Sequence, residues 1–228
     1  MIYTVVCDVS RVGGEDTLQQ LSPPLFSLLG DRGDAVAKKE REKAYICLAL
    51  IYEYLTGGSA LSAVERDEFG KLSFKKKGTE NVDFPSFSLS HSGELVAVVF
   101  SDKDEKIGVD IQLHAPVKNE EKIKERLLHS CPVGDIEESE IKVSFCKIDE
   151  ALKLSLCEEK SPFTLSLSYD SDFFSLWTAT EAALKADGGG FASICRLRDI
   201  CPVALVKTYK IDYMGRAYSL SAVKIKSS

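Results

Sequence analysis

Apolar residues in this chain fall into short β-branched runs and two long helical stretches, separated by charged or glycine-bearing turns. Residues 2–8, Ile-Tyr-Thr-Val-Val-Cys-Asp, predict a strand that ends in an acid. Residues 10–34 are mixed, with a short helix expected around Leu25–Leu29 and breaks at Gly30 and Gly33. Tyr45, Leu48, Ile51, Tyr52 and Leu55 recur at three- and four-residue spacing, which predicts a helix over 35–55 ended by Gly57-Gly58. A second short helix is expected over 60–67, then an irregular basic connector over 69–86. Phe87–His91, Leu95–Phe100 and Ile107–Ile111 read as three strands joined by short turns, which favours antiparallel or mixed pairing.

The second half repeats this alternation. Helical charge patterning covers 119–129, and 141–145 and 163–169 read as strands. Asp172 is placed to cap a helix running to about Asp187, which Gly188-Gly189-Gly190 terminates. Val203–Asp212 and Ala217–Ile225 close the chain as strands around a Met214-Gly215 turn. The succession predicts an α+β protein of two comparable lobes, residues 1–112 and 113–228, with the boundary near 111–118, where Pro116 lies.

Composition narrows the class. The 228 residues, 44% hydrophobic and 28% charged, suit an ordinary soluble globular protein. A net charge of -6 argues against nucleic acid, which collects on basic surfaces. Positive charge is nevertheless clustered, in Lys38, Lys39, Arg41 and Lys43 at the start of the long helix and in Lys75, Lys76 and Lys77. No apolar run is long enough to span a bilayer and no signal-peptide pattern opens the chain, so a cytoplasmic protein is expected. The seven cysteines form no zinc-like spacing and are expected as reduced, largely buried thiols.

Three constellations carry candidate chemistry. Asp110 and Gln112 lie on one face of the strand Ile107-Gly108-Val109-Asp110-Ile111-Gln112, opposite Val109 and Ile111. Trp177, Glu181 and Lys185 stand four apart on the helix after Asp172 and share a face; such a Glu–Lys pair alone contributes only about 0.2–0.5 kcal/mol. Ser88-Leu89-Ser90-His91-Ser92-Gly93 offers hydroxyls and an imidazole at a strand end. There is no nucleophile elbow, P-loop or dinucleotide fingerprint.

In order and spacing these pieces resemble the phosphopantetheinyl transferases, specifically the long two-lobed kind similar to the surfactin-synthetase activator. The family's Gly-Val/Ile-Asp-x-Glu marker is met by Gly108 to Gln112, and its Trp-Ser/Thr-x-Lys-Glu-Ala-x-x-Lys marker by Trp177 to Lys185. The family's Ser-His-Ser-Gly segment is matched by Phe87 to Gly93, and a Gly-Lys-Pro stretch is matched loosely by Gly70-Lys71-Leu72. The Gly188–Gly190 turn and Lys207-Thr208-Tyr209 also look like family features. The resemblance implies a pseudo-dimer of two α/β lobes with the active site between them. It implies magnesium-dependent transfer of the 4'-phosphopantetheine arm of coenzyme A to a serine of an apo acyl- or peptidyl-carrier protein, releasing 3',5'-ADP. By similarity, Asp110, Gln112 and Glu181 would hold Mg2+, and Lys39, Arg41, Lys43, Lys71, Ser90 and His91 would bind coenzyme A. Glu181 would accept the serine proton, Lys185 would serve the departing phosphate, and Asp110 completes the catalytic set.

Two positions depart from the family pattern: Gln112 stands where a second acid is usual, and Thr180 where a lysine is usual. They motivate a rival reading, a homologue that binds coenzyme A or a carrier without transfer. A metal-dependent phosphohydrolase using Asp110, Glu181 and His91 is a further alternative. A monomer is expected, docking an acidic carrier near residues 113–135, where Lys118, Lys122, Lys124 and Arg126 lie.

Overall fold

The chain forms a mixed α+β structure with two five-stranded sheets. In the computed structural model the described residues are 1–12, 15–30, 34–57, 61, 64–68, 70–74, 84–128, 132, 134–157, 163–168 and 172–226. In chain order the elements are β1 (Ile2–Asp8), α1 (Glu15–Leu21), α2 (Pro23–Leu28), α3 (Ala35–Leu55), β2 (Val64–Arg66), β3 (Leu72–Phe74), β4 (Ser86–Ser92), β5 (Leu95–Ser101) and β6 (Lys106–Leu113). There follow α4 (Glu120–Leu128), β7 (Gly134–Asp135), β8 (Ile141–Ile148), β9 (Leu154–Leu156), β10 (Phe163–Leu167), α5 (Phe173–Asp187), α6 (Leu197–Ile200), β11 (Ala204–Tyr213) and β12 (Arg216–Ile225).

The first sheet has the order β4-β5-β1-β8-β9 and is mixed, because β1 runs parallel to β8 while its other pairings are antiparallel. The second has the order β10-β11-β12-β6, with β7 added alongside β11. Each sheet draws on both halves of the chain: β8 and β9 join the first, and β6 joins the second. One connectivity occurs twice. With intervening elements left out (α1, α2, β2 and β3 in the first case, α4, β7 to β10 and α6 in the second), a strand is followed by a helix and an antiparallel hairpin whose second strand pairs with the first strand, as β1-α3-β4-β5 and as β6-α5-β11-β12.

Side-chain alternation explains how these layers stack. Leu95, Ala97 and Val99 of β5, with Ile2 and Val6 of β1, meet Val109, Ile111, Ile211, Tyr218 and Leu220 of the second sheet in one buried cluster. Val96, Val98 and Phe100 point the opposite way, with Val5 and Cys7, into a cluster with Tyr45, Leu48, Ile51 and Tyr52 of α3. Strand β5 is therefore buried on both faces, and the order of layers is α3, first sheet, second sheet, α5. The long helix starts where Asp34 accepts a hydrogen bond from the Ala37 amide (2.8 Å), satisfying an otherwise orphaned donor.

Several expectations need correction. Residues 64–66 are a strand paired with β3, not part of a helix over 60–67; Val64 and Leu72 plug the base of the first core, and that burial outweighs local helical preference. Residues 10–34 hold two short helices rather than one, and β7 and β9 were not expected. The strand expected over 141–145 runs on to Ile148. The Lys75–Lys77 run, Cys131 and Tyr169 lie outside the described residues. Cys7, Cys47 and Cys146 are buried thiols, and burial pushes Cys7 well above the ordinary thiol range. Among the described residues no helix is long and apolar enough to cross a membrane.

Candidate functional site

The site forms where an edge of the first sheet meets an edge of the second. Strand β4 reads Ser86-Phe87-Ser88-Leu89-Ser90-His91-Ser92, and its alternation sends serines and apolar residues to opposite sides. Edge strand β6 leaves a row of amides unpaired by β12, and the serine hydroxyls accept them. Val109 N donates to Ser88 Oγ (3.3 Å), Ile111 N to Ser90 Oγ (3.3 Å) and Leu113 N to Ser92 Oγ (3.0 Å). Just before β6, Glu105 N donates to Ser86 Oγ (3.0 Å). A polar seam thus fixes the register of β6 against β4.

Helix α5 lies over the outer face of β6, and Gly108 sets how closely. A Cβ at position 108 would lie 2.0 Å from the Ala182 carbonyl oxygen and 2.6 Å from the Ala186 nitrogen, so only glycine admits the helix here. Asp172 caps the helix by accepting from Ser175 N (2.9 Å), and Gly188, at φ 98°, ends it. Gly108, Asp110 and Gln112 share the face of β6 that α5 covers, which brings Lys185 onto Asp110.

The resulting cluster is tight. Lys185 Nζ donates to Asp110 Oδ1 (2.7 Å) and to Ser90 Oγ (2.9 Å), and Ser90 Oγ donates to Asp110 Oδ1 (2.7 Å). The Asp110 side chain is only 5% exposed, so this ion pair is shielded rather than a surface contact. Its other oxygen, Oδ2, is buried with no hydrogen-bond partner among the described residues. Burial and the neighbouring Asp110 charge push the Glu181 carboxyl up to about 7, against the opposing pull of Lys185 and a hydrogen bond from Trp177.

On the opposite side of β4, His91 turns toward α3 and borders two adjoining cavities. One, of about 260 Å³, is lined by Arg41, Tyr45, Lys71, His91, Lys185 and the Gly188–Gly190 turn. The other, of about 450 Å³, is lined by Lys39, Lys43, His91 and apolar residues of α3 and the first sheet, with Glu40 as its acid. Burial pushes His91 below the ordinary histidine range, helped by Lys185 and Arg41 and opposed by Glu40 and Asp110. Burial likewise lowers Lys71, whose Nζ donates to the Ala186 carbonyl (3.3 Å) near the end of α5. A third cavity of about 880 Å³ adjoins at Lys71 and Phe87 and has walls of mixed charge, among them Glu65, Asp104 and Lys106.

The residues singled out in the sequence therefore separate into groups. Asp110, Glu181, Lys185 and Ser90 form the cluster; Lys39, Arg41, Lys43, Lys71 and His91 line the cationic cavities. Gln112 lies on β6 two residues beyond Asp110, and its amide Nε2 donates to the Leu113 carbonyl (3.2 Å). Thr180 is 2% exposed, and its hydroxyl has no hydrogen-bond partner among the described residues. Sequence reasoning missed the close-approach role of Gly108 and the amide-capping role of the β4 serines; four serines at period two were the available signal. Among the described residues no group of three or more His, Cys, Asp or Glu is arranged to hold a metal ion. No family model matches the chain, and no curated protein matches its sequence.

Proposed function

We propose that this protein is a metal-assisted transferase that acts on a phosphate-rich cofactor. The observation that carries this reading is the shielded Asp110–Ser90–Lys185 cluster, with Glu181 beside it, next to cationic cavities that meet at His91. The cavities supply donors and positive charge for several phosphates, and the cluster supplies paired carboxylates. Within that class, the family markers at Gly108–Gln112 and Trp177–Lys185 favour a phosphopantetheinyl transferase using coenzyme A and a carrier-protein serine. The twice-used strand–helix–hairpin connectivity supports reading the chain as a pseudo-dimer of two lobes that forms the site within one monomer.

The residues present fit a divalent cation. Asp110 offers a buried oxygen with no hydrogen-bond partner among the described residues, and burial and the Asp110 charge disfavour the ionised form of the Glu181 carboxyl; a cation held by these two residues would relieve both. Two carboxylates with substrate phosphate and water suit Mg2+, and Gln112 adds a neutral oxygen donor nearby. When bound, the cation would neutralise charge developing on the cofactor diphosphate. Glu181, raised to about 7 without a metal and brought down by a bound cation, would be ionised near neutral pH and suits a general base that takes the proton from the carrier serine hydroxyl. The serine oxygen then bonds to the β-phosphorus of coenzyme A, and the P–O bond to 3',5'-ADP breaks. Lys185, within reach of both the cluster and the cavity of Arg41, Lys71 and His91, stabilises the negative charge on the departing phosphate.

Helix α4, whose Lys122, Lys124 and Arg126 stand among Glu120, Glu121 and Glu125 and which packs on α5 through Leu127 and Ile123, is the surface proposed to meet the acidic carrier, through its cations rather than through a net positive charge. The test is the intact mass of several apo carrier proteins after incubation with this protein, coenzyme A and magnesium. A gain of one phosphopantetheine, lost with chelator and with Glu181→Ala, is the expected result. No gain on any carrier, with coenzyme A still bound, would replace this reading with binding without transfer. Phosphate released from diphosphates in the absence of a carrier would replace it with a phosphohydrolase.

A further inference from the structure

We infer that Ser90 is a positioning residue for Asp110 and Lys185 rather than a contact to the cofactor; this rests on the transferase reading above. A serine hydroxyl has one proton to donate and two lone pairs to accept with. At Ser90 all three are used: it donates to Asp110 Oδ1 and accepts from Lys185 Nζ and from the Ile111 amide. The side chain is buried, 5% exposed, and absent from the residues that line the cationic cavities. Ser90 therefore has no capacity left for a phosphate, whereas its neighbour His91 borders both of those cavities.

The three bonds also join three elements. Ser90 lies on β4 of the first sheet, Ile111 and Asp110 on β6 of the second, and Lys185 on α5. Through Ser90 the acid and the ammonium are held at one point relative to both sheets. The donated bond fixes which oxygen of Asp110 faces Lys185 and leaves Oδ2 directed elsewhere, without a partner among the described residues. Ser92 makes the same kind of bond to a β6 amide, from Leu113, and among the described residues it has no side-chain hydrogen bond to the cluster. It is the internal control that separates stitching the sheets from orienting the site.

The experiment compares the parent protein with Ser90→Ala, Ser90→Thr and Ser92→Ala. It reads magnesium binding by calorimetry without carrier, KM for coenzyme A and kcat with carrier, and unfolding in urea. Removing a partner that orients a metal-ligating side chain is expected to weaken magnesium binding and kcat by roughly 10–100-fold in Ser90→Ala. KM for coenzyme A stays within about threefold, and Ser90→Thr, which keeps the hydroxyl, recovers most of the loss. Ser92→Ala unfolds at lower urea yet keeps magnesium affinity and kcat. A raised KM with intact kcat in Ser90→Ala would overturn the inference, because the hydroxyl would then serve the cofactor. Indistinguishable behaviour of Ser90→Ala and Ser92→Ala would also overturn it. Failure of the parent to modify any carrier sinks the transferase reading alone, provided magnesium binding is still lost in Ser90→Ala and kept in Ser92→Ala. A parent that binds no magnesium overturns both.

Discussion

Replacing Gly108 with alanine tests the geometry on which the site depends. The added Cβ would meet the Ala182 carbonyl oxygen at 2.0 Å and the Ala186 nitrogen at 2.6 Å, both backbone atoms of α5 that no rotamer change can move. Restoring an ordinary contact of roughly 3.5 Å requires α5 to retreat on the order of 1.5 Å. Overpacking of this kind costs about 1–3 kcal/mol, and the rigid obstruction places Gly108→Ala toward the upper end. With a urea slope of about 2–3 kcal/mol/M, the unfolding midpoint should fall by roughly 1 M. The same retreat carries Glu181 and Lys185 away from Asp110, and a misplacement of about 1 Å is enough to cost on the order of 100-fold in rate. Gly134 provides the contrast: a Cβ there would meet Leu205 Cδ2 at 2.3 Å, a side-chain end that can rotate aside. Gly134→Ala should therefore unfold close to the parent and keep its kcat. Urea titration and carrier-modification rates of both variants check this. A Gly108→Ala protein whose midpoint lies within roughly 0.2 M of the parent, with unchanged kcat, would refute the close-approach argument.

Four further outcomes are expected. Because the Glu181 carboxyl titrates at about 7 in the folded chain, against an ordinary 4.5, the folded state holds a proton that the unfolded state releases. Its contribution is fully present below about pH 4.5 and is lost as pH rises to about 7, so urea midpoints should show a component that falls across this window and vanishes in Glu181→Gln. Transfer should rise with pH as Glu181 ionises, with a midpoint below the metal-free value of about 7 because a bound cation would favour the ionised form, and Trp177→Phe, which removes a hydrogen bond that also favours that form, should move the midpoint upward. Burial alone would raise Asp8, but hydrogen bonds from the Tyr213 hydroxyl (2.5 Å) and from Ser10 outweigh it and hold the carboxyl below its usual range. Tyr213→Phe should cost about 1.5–3 kcal/mol near neutral pH, and its gap from the parent should close as pH falls through the folded Asp8 pKa. Arg41→Ala should raise KM for coenzyme A roughly tenfold or more with little change in kcat, an effect that shrinks in high salt.

The long elements could be read from the sequence because their burial follows a simple period. Tyr45, Leu48, Ile51 and Tyr52 face one core at helical spacing, and the Asp172 cap and Gly188 stop of α5 lie where local chemistry demands them. The short strand at Val64–Arg66 was misread because three residues carry too little period to oppose a helical reading, and its partner Leu72–Phe74 lies across a turn. Which half of the chain supplies each sheet was not legible: β6 is set by its pairing with β12, and β8 by its pairing with β1. In the same way, spacing put Trp177, Glu181 and Lys185 on one face but could not say that Gly108 would bring that face onto Asp110.

The alternation of β4 resolves what a Ser-His-Ser triplet leaves open. A strand can present a polar run to only one side at a time, so adjacent residues of the triplet serve opposite surroundings. Ser90 and Ser92 cap the β6 edge, while His91 faces the cavities beside Lys39, Arg41 and Lys43. An apolar residue at 90 would leave the buried Ile111 amide without its side-chain partner, at a cost of about 1–3 kcal/mol whatever happens at the site, and one at 92 would do the same to the partly buried Leu113 amide at a smaller cost. The serines are thus held in place twice, by the edge they cap and, at Ser90, by the acid and ammonium they orient. The carboxylate cluster and the cationic cavities thus draw on opposite faces of one strand, and Lys185, which pairs with Asp110 and also lines the cavity of Arg41, Lys71 and His91, joins them.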